Sequence, residues 1–245
     1  MLTWQQRSAI ENVFFPQYTD HVFGRLRARL AEALQPGAFV FDAGSGPGTW
    51  VLRRHRATIT VAGLDLFRPD PVPTTRYAIG SLAAVPYADE LFDLVLCYDV
   101  VEHLAEPLAA FSEFWRVLKP GGRLMVKTPN LRGPTTRASA RLPFAWHVGV
   151  QRALGTRESS VFPTLYRCNT ALELNQAAQA CGFVTEALYA VDETASYCAF
   201  TPWTYALGLL YSRWMAHPSR AAWRNALVGV FVKHAARAWE SGRGD

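Results

Sequence analysis

Short apolar runs alternate along the chain with longer stretches in which apolar side chains recur every three or four positions. Runs of the first kind read as strands buried on both faces, and stretches of the second kind as helices hiding one stripe. The runs predict strands over 39–43, 60–65, 76–79, 93–98 and 123–128, with helices over 18–34, 48–56 and 107–118. Such alternation predicts an α/β fold with a largely parallel sheet. "LKPGG", 118–122, reads as a helix stop followed by a turn, since proline cannot continue a helix and glycine takes positive φ freely. Past Asn130 the alternation loosens. "NTALELNQAAQACGF", 169–183, still predicts a helix, N-capped by Asn169 or Thr170 and stopped at Gly182. Strands near 183–189 and 227–233 close the sheet, and between them 194–212 carries no charged residue at all.

Composition narrows the class. The chain has 245 residues, half of them hydrophobic and 18% charged, which is a globular balance with enough length for one well-cored domain. The net charge of +5 rests on arginine, because Lys119, Lys127 and Lys233 are the only lysines. A nucleic-acid binder clusters its basic residues among aromatics, and these are scattered, so no nucleic-acid partner is expected. The exception is 131–166, with Arg132, Arg137, Arg141, Arg152 and Arg157 against the single acid Glu158. Cys97, Cys168, Cys181 and Cys198 show neither CxxC nor Cys/His spacing, so no metal site is expected. The first residues lack the basic-then-apolar pattern of a signal peptide, which predicts a cytoplasmic protein with free thiols.

The candidate chemistry begins at "FVFDAGSGPGTW", 39–50, where a strand delivers three alternating glycines into a turn. In an open α/β sheet that junction is a ligand site, because the strand's carboxyl end meets a helix N-terminus. A phosphate loop needs GxxxxGK[ST], and the residues for it are missing. A dinucleotide fingerprint is GxGxxG, whereas Gly44, Gly46 and Gly48 give GxGxG. Pro47 removes one amide from the cradle, and Asp42 places a carboxylate where a pyrophosphate would be repelled. An acidic entrance suits a cationic ligand with a ribose, and S-adenosylmethionine carries an ammonium, a sulfonium and a ribose. Asp65, ending the second strand, can accept both ribose hydroxyls.

With "VFDAGSGPG" (40–48), "VAGLDL" (61–66), "GSLAAVPYADELFDLVLCYDVVEHL" (80–104) and "FWRVLKPGGRLMVKTPN" (114–130), the chain resembles the class I S-adenosylmethionine-dependent methyltransferases, in particular the type 11 group that includes ubiquinone-biosynthesis methyltransferases. The resemblance implies a Rossmann-like, doubly wound, seven-stranded sheet, mostly parallel with an antiparallel last strand, plus a helical and loop cap. It implies one domain over 1–245. Within it, 1–36 is an N-terminal helical segment, 37–130 the cofactor core, 131–166 and 190–222 the substrate cap, and 167–189 with 223–235 complete the sheet. Asp42, Gly44, Ser45 and Gly46 line the methionine end of the cofactor, Asp65 takes the ribose, Leu66 flanks the adenine, and the main chain at Ser81 and Leu82 meets its edge. The main chain at Tyr98 faces the amino-acid moiety. Ser81 stands where the family commonly has an acid, which implies somewhat weaker binding.

Methyl transfer from a sulfonium is mostly alignment, and a base is needed only when the nucleophile arrives protonated. His103, after the fourth strand, is the candidate base, with Glu102 as its local partner. His147, Tyr166 and Arg167 are candidates for the substrate pocket. Arginine around 132–157 favours an acidic or lipid-linked acceptor. For the uncharged 194–212 stretch, Pro202, Gly208 and several hydroxyls weigh against a membrane span. A lid, a peripheral membrane contact through 194–214 and a homodimer contact remain open, Trp203, Tyr205, Tyr211 and Trp214 suiting an interface. The expected activity is methyl transfer to a small or lipid-linked acceptor at oxygen. An NAD-dependent oxidoreductase and a non-catalytic cofactor-binding subunit are the alternatives.

Overall fold

The computed structural model describes residues 2–49, 52, 55, 57–69, 72, 74, 76–141 and 162–234. Two helices lead in, α1 (Trp4–Phe14) and α2 (Tyr18–Ala33). The sheet strands follow as β1 (Phe39–Ala43), β2 (Thr60–Asp65), β3 (Arg76–Ile79) and β4 (Phe92–Tyr98), then helix α3 (Pro107–Val117) and β5 (Leu118–Pro129). The second half contributes α4 (Pro134–Ala140), α5 (Ala171–Ala180), β6 (Phe183–Val191), α6 (Thr194–Tyr197), α7 (Pro202–Met215) and β7 (Ala226–Lys233).

The seven strands lie in the order β3-β2-β1-β4-β5-β7-β6. The first five are parallel, and β7 runs antiparallel to both β5 and β6. This is the Rossmann-like sheet expected. Neighbouring residues of each central strand serve opposite faces, as a two-residue period requires. Phe41, Val95, Cys97, Leu124 and Val126 pack under α3 and α5 with Phe111, Phe114 and Leu174. Val40, Leu94, Leu96 and Met125 pack on the other face with Tyr18, Val22, Leu26 and Leu30 of α2 and with Tyr205 and Leu209 of α7. The α2 residues recur every four positions, which is one helical stripe. Each aromatic or aliphatic side chain hidden this way contributes about 1.5–3 kcal/mol.

Three expectations need adjustment. "LKPGG" does not separate helix from strand: β5 begins at Leu118, which pairs with Phe92, and pairing resumes at Arg123 with Leu94. Lys119–Gly122 therefore bulge out within one strand, with Gly121 at φ +80°. Asn169 is not the cap of α5. Thr170 is, in a reciprocal box with Glu173, while Asn169 is fully buried and tethered elsewhere. The helix expected over 48–56 falls mostly outside the described residues. Those that are described show a tight turn, Leu52 donating to the Thr49 carbonyl and His55 to that of Leu52.

Candidate functional site

Chain order reverses between β1 and β4: β2 and β3 are laid down on one side, β5 on the other. A crevice opens at the carboxyl ends of strands at such a switch point. Here it is flanked by the loop after β1 and by Asp99 and Val100 after β4. The two segments touch. A Cβ at Gly44 would collide with both methyl carbons of Val100, and Gly44 sits at φ +69°, so only glycine fits. The Gly44 and Ser45 amides donate to the Leu64 carbonyl at 2.9 and 3.1 Å, folding the loop back on β2.

The loop is held by carboxylates. Asp42, buried within β1, accepts the amide of Thr49 at 3.0 Å and its hydroxyl as well. Asp65, half-exposed at the end of β2, accepts the Gly46 amide through Oδ2 at 2.8 Å. A Cβ at Gly46 would find open space, its nearest neighbour being that same carboxylate oxygen at 4.0 Å. Leu66 and Phe67 follow, both more than half exposed. Ser81 is exposed, and its Oγ accepts the Ala83 amide at 3.2 Å. Leu82 buries its side chain in the core, so only its main chain is available to a ligand. Tyr98 likewise packs its ring inward, where burial pushes its phenol well above the ordinary value.

The wall opposite the glycine loop is ionic. Lys127, buried near the end of β5, donates to Asp99 Oδ1 at 2.9 Å and lies 3.0 Å from Glu193 Oε2. Burial alone would favour neutral lysine, but the two carboxylates outweigh it and raise the Lys127 pKa. At Glu193 burial wins and raises the carboxyl above its usual range, and its Oε1 has no partner among the described residues. Tyr197 of α6 is well exposed yet within electrostatic range of Lys127, Glu193, Asp99 and Glu102, so it borders this wall from the solvent side.

His103 lies in the 3₁₀ turn Val101–His103 after β4. Its Nδ1 is 2.9 Å from the Pro163 carbonyl oxygen, which can only accept, so Nδ1 carries the proton and the neutral ring keeps its lone pair on Nε2. Glu102 Oε1 is 3.9 Å from that Nε2. Glu102 itself is buried. Asn169 Nδ2 donates to Thr128 Oγ1 at 2.8 Å, and Thr128 donates in turn to Glu102 Oε2 at 3.0 Å. Burial, reinforced by Asp99, raises the Glu102 carboxyl to about 7. The Leu165 and Tyr166 amides both donate to the Glu102 carbonyl, which brings "YRCNT" beside His103. Arg167 is exposed and anchors the turn below by donating to the Ala105 carbonyl at 2.6 Å. His147 lies outside the described residues.

These residues fit S-adenosylmethionine better than a phosphate-bearing ligand. The Gly46 cradle leaves room, carboxylates border it, and no lysine or arginine occurs in 39–50. Residues 41–126 match the family model described as a methyltransferase domain. Over that stretch the chain is similar to a methyltransferase domain. A Mycolicibacterium smegmatis protein named "Probable S-adenosylmethionine-dependent methyltransferase" is 34% identical over 128 residues, covering 50% of this chain and 48% of that one. The ubiquinone biosynthesis O-methyltransferase of Cereibacter sphaeroides is 33% identical over 141 residues, covering 52% and 55%. The chain thus spans about half the length of the curated relatives it matches. In fold it resembles geranyl diphosphate C-methyltransferase from Streptomyces coelicolor A3(2), solved with Mg2+, geranyl diphosphate and S-adenosylhomocysteine, with a TM-score of 0.51, 17% identity and coverage of 86% and 81%.

Around the glycine loop and the end of β4 the sequence reading missed Asp99, Lys127, Thr128 and Glu193. One signal was available: Lys127 is a lysine inside the apolar run "LMVKTP", in a chain with only three. A lysine there has to be paired once the strand is buried.

Proposed function

We propose that the protein is an S-adenosylmethionine-dependent methyltransferase acting on a hydroxyl of a small or lipid-linked acceptor. The observation that carries the reading is the joining of the Gly46 amide to Asp65 Oδ2 at the switch point, which sets a ribose-accepting carboxylate against an open glycine cradle. Asp65 Oδ1 accepts nothing among the described residues and is free for a ribose hydroxyl. Leu66 and Phe67 offer apolar surface to the adenine, Ser81 a hydroxyl to its edge, and the loop at Gly44–Gly46 lines the methionine end. The bound cofactor supplies an electrophilic methyl group on a sulfonium.

Preference for oxygen comes from His103 and Glu102. A hydroxyl nucleophile must lose a proton, and a base positioned for it contributes roughly 10²–10⁴-fold. His103 has the tautomer for this role, with Nδ1 fixed by Pro163 and Nε2 able to take the proton. Glu102, at 3.9 Å, balances the resulting imidazolium charge once its own carboxyl, raised to about 7, has released its proton. The named activity of the Cereibacter relative, an O-methyltransferase, agrees with this choice.

The test is to incubate the purified protein with methyl-labelled S-adenosylmethionine and a cell extract, then partition the products. Base-stable label in a non-protein product, in either phase, is expected, and the organic phase would identify a lipid-linked acceptor. Absence of transfer in any extract, despite cofactor binding, would overturn the enzymatic reading in favour of a cofactor-binding subunit.

A further inference from the structure

Helix α7 is apolar on two sides. Tyr205, Leu209, Ser212 and Met215 face inward and are buried. Trp203, Leu207, Leu210 and Trp214, which recur at the spacing of a single helical stripe, face solvent, Trp203 at 80% exposure and Leu207 at 67%. A helix that is apolar all round belongs inside something, yet half of this one has nothing over it among the described residues.

Helix α1 runs beside it. The Leu2 amide donates to Ala199 at 3.1 Å, Arg213 Nη1 donates to the Phe14 carbonyl at 3.2 Å, and the Tyr205 hydroxyl donates to Glu11. Trp4, two residues past the Leu2 contact, is 80% exposed.

The charge on this face has one sign. From Thr194 to Trp239 the chain contains no aspartate or glutamate, while the exposed Arg213 and the half-buried Arg220 fall within it. The one acid of α1, Glu11, is taken up by Thr19 and Tyr205. Arg220 lies 4.0 Å over the ring of Trp214, setting a cation at the edge of the aromatic stripe.

We propose that the face formed by α1 and α7 docks on an anionic lipid bilayer. Tryptophans settle at the boundary of headgroups and acyl chains, where an apolar ring and an N–H are both satisfied, and neighbouring arginines meet lipid phosphates. A second copy of the chain fits less well. A two-fold contact brings the same patch against itself, and the arginines would then meet arginines with no exposed acid of these helices to pair with. Docking lies on the surface, since no helix among the described residues is long and apolar enough to cross a membrane. The face leads, through α6, to Tyr197 at the ionic wall of the site, so a lipid-borne acceptor would enter from the bilayer side. The docking inference does not rest on the methyl-transfer reading, and its readout is independent of activity.

The experiment is co-sedimentation of the full chain with vesicles of phosphatidylcholine alone and with added phosphatidylglycerol. Binding should favour the anionic vesicles by about fivefold for each arginine brought to the surface and should weaken with salt. The double variant Trp203→Ser, Leu207→Ser should lose roughly tenfold or more in binding, with its melting temperature unchanged because both side chains are exposed. Failure to bind either vesicle, or equal binding by the double variant, would overturn the proposal. So would a concentration-dependent dimer that the same variant dissociates, which would give the face to a second copy.

Discussion

The main-chain amide of Gly46 donates to Asp65 Oδ2 at 2.8 Å, so the loop after the first strand and the carboxylate ending the second form one unit without any ligand. Hydrogen bonds to a charged group are worth about 1.5–3 kcal/mol each. Asp65→Ala should therefore weaken S-adenosylhomocysteine binding by roughly 100-fold, and Asp65→Asn by less. Calorimetric titration of both variants checks this, and an unchanged affinity in Asp65→Ala would remove Asp65 from the site.

Gly44 meets the opposite half of the crevice. Gly44→Ala has to relieve both a collision with Val100 and a left-handed backbone at φ +69°. It should destabilise the fold by about 2 kcal/mol or more and abolish cofactor binding. Adding Val100→Ala removes only the collision, so the double variant should recover part of the stability. Full recovery in a thermal melt would show that the backbone conformation costs nothing.

Ser81 stands where the resembling family commonly carries an acid. Its hydroxyl already accepts the Ala83 amide and is exposed. Ser81→Asp should tighten S-adenosylhomocysteine binding by roughly three- to tenfold through a charge-assisted hydrogen bond to the adenine amino group. Weaker binding by this variant would place the adenine elsewhere.

Glu102 makes stability fall with rising pH. Burial lifts its carboxyl to about 7, while the unfolded chain releases the proton near 4.5. Between those values the folded state binds more protons, so the contribution is fully present below the lower value and lost as pH passes the upper one. Glu102→Gln stays neutral and can still accept from Thr128. It should match the parent at about pH 4.5 and exceed it by about 3 kcal/mol at about pH 8. Denaturant titrations at both pH values decide, and a pH-independent difference would contradict the buried, proton-holding Glu102.

His103→Ala should lower the rate of transfer to a hydroxyl acceptor by roughly 100-fold while leaving S-adenosylhomocysteine affinity unchanged. Equal loss of binding and rate would make His103 part of the cofactor pocket instead of a base.

Much of the fold was legible because its signals are local. The runs at 39–43 and 60–65 are strands with those bounds, since a parallel strand covered on both faces is mostly apolar, and 76–79 keeps its bounds as an edge strand with Arg76 and Ile79 exposed. The cap of α5 and its stop at Gly182 were written in Thr170, Glu173 and a glycine at φ +91°. The bulge at 119–122 was not, because β4 imposes it by continuing to pair with Leu118. Within the site, the glycine loop and Asp65 could be read from spacing alone. The pairing of Lys127 with Asp99 and Glu193 could not, because these residues lie in β5, just after β4 and just after β6, and meet only when the strand order is known. Asn169 shows the same limit: its neighbour sequence suggested a cap, but the tether to Thr128 is long-range.

The central claim is tested most directly by calorimetric titration of the purified chain with S-adenosylhomocysteine and, separately, with NAD. Saturable one-to-one binding of S-adenosylhomocysteine, weakened roughly 100-fold in Asp65→Ala and accompanied by no binding of NAD, is the expected result. Binding of NAD in place of S-adenosylhomocysteine would contradict the reading of the glycine loop and of everything built on it.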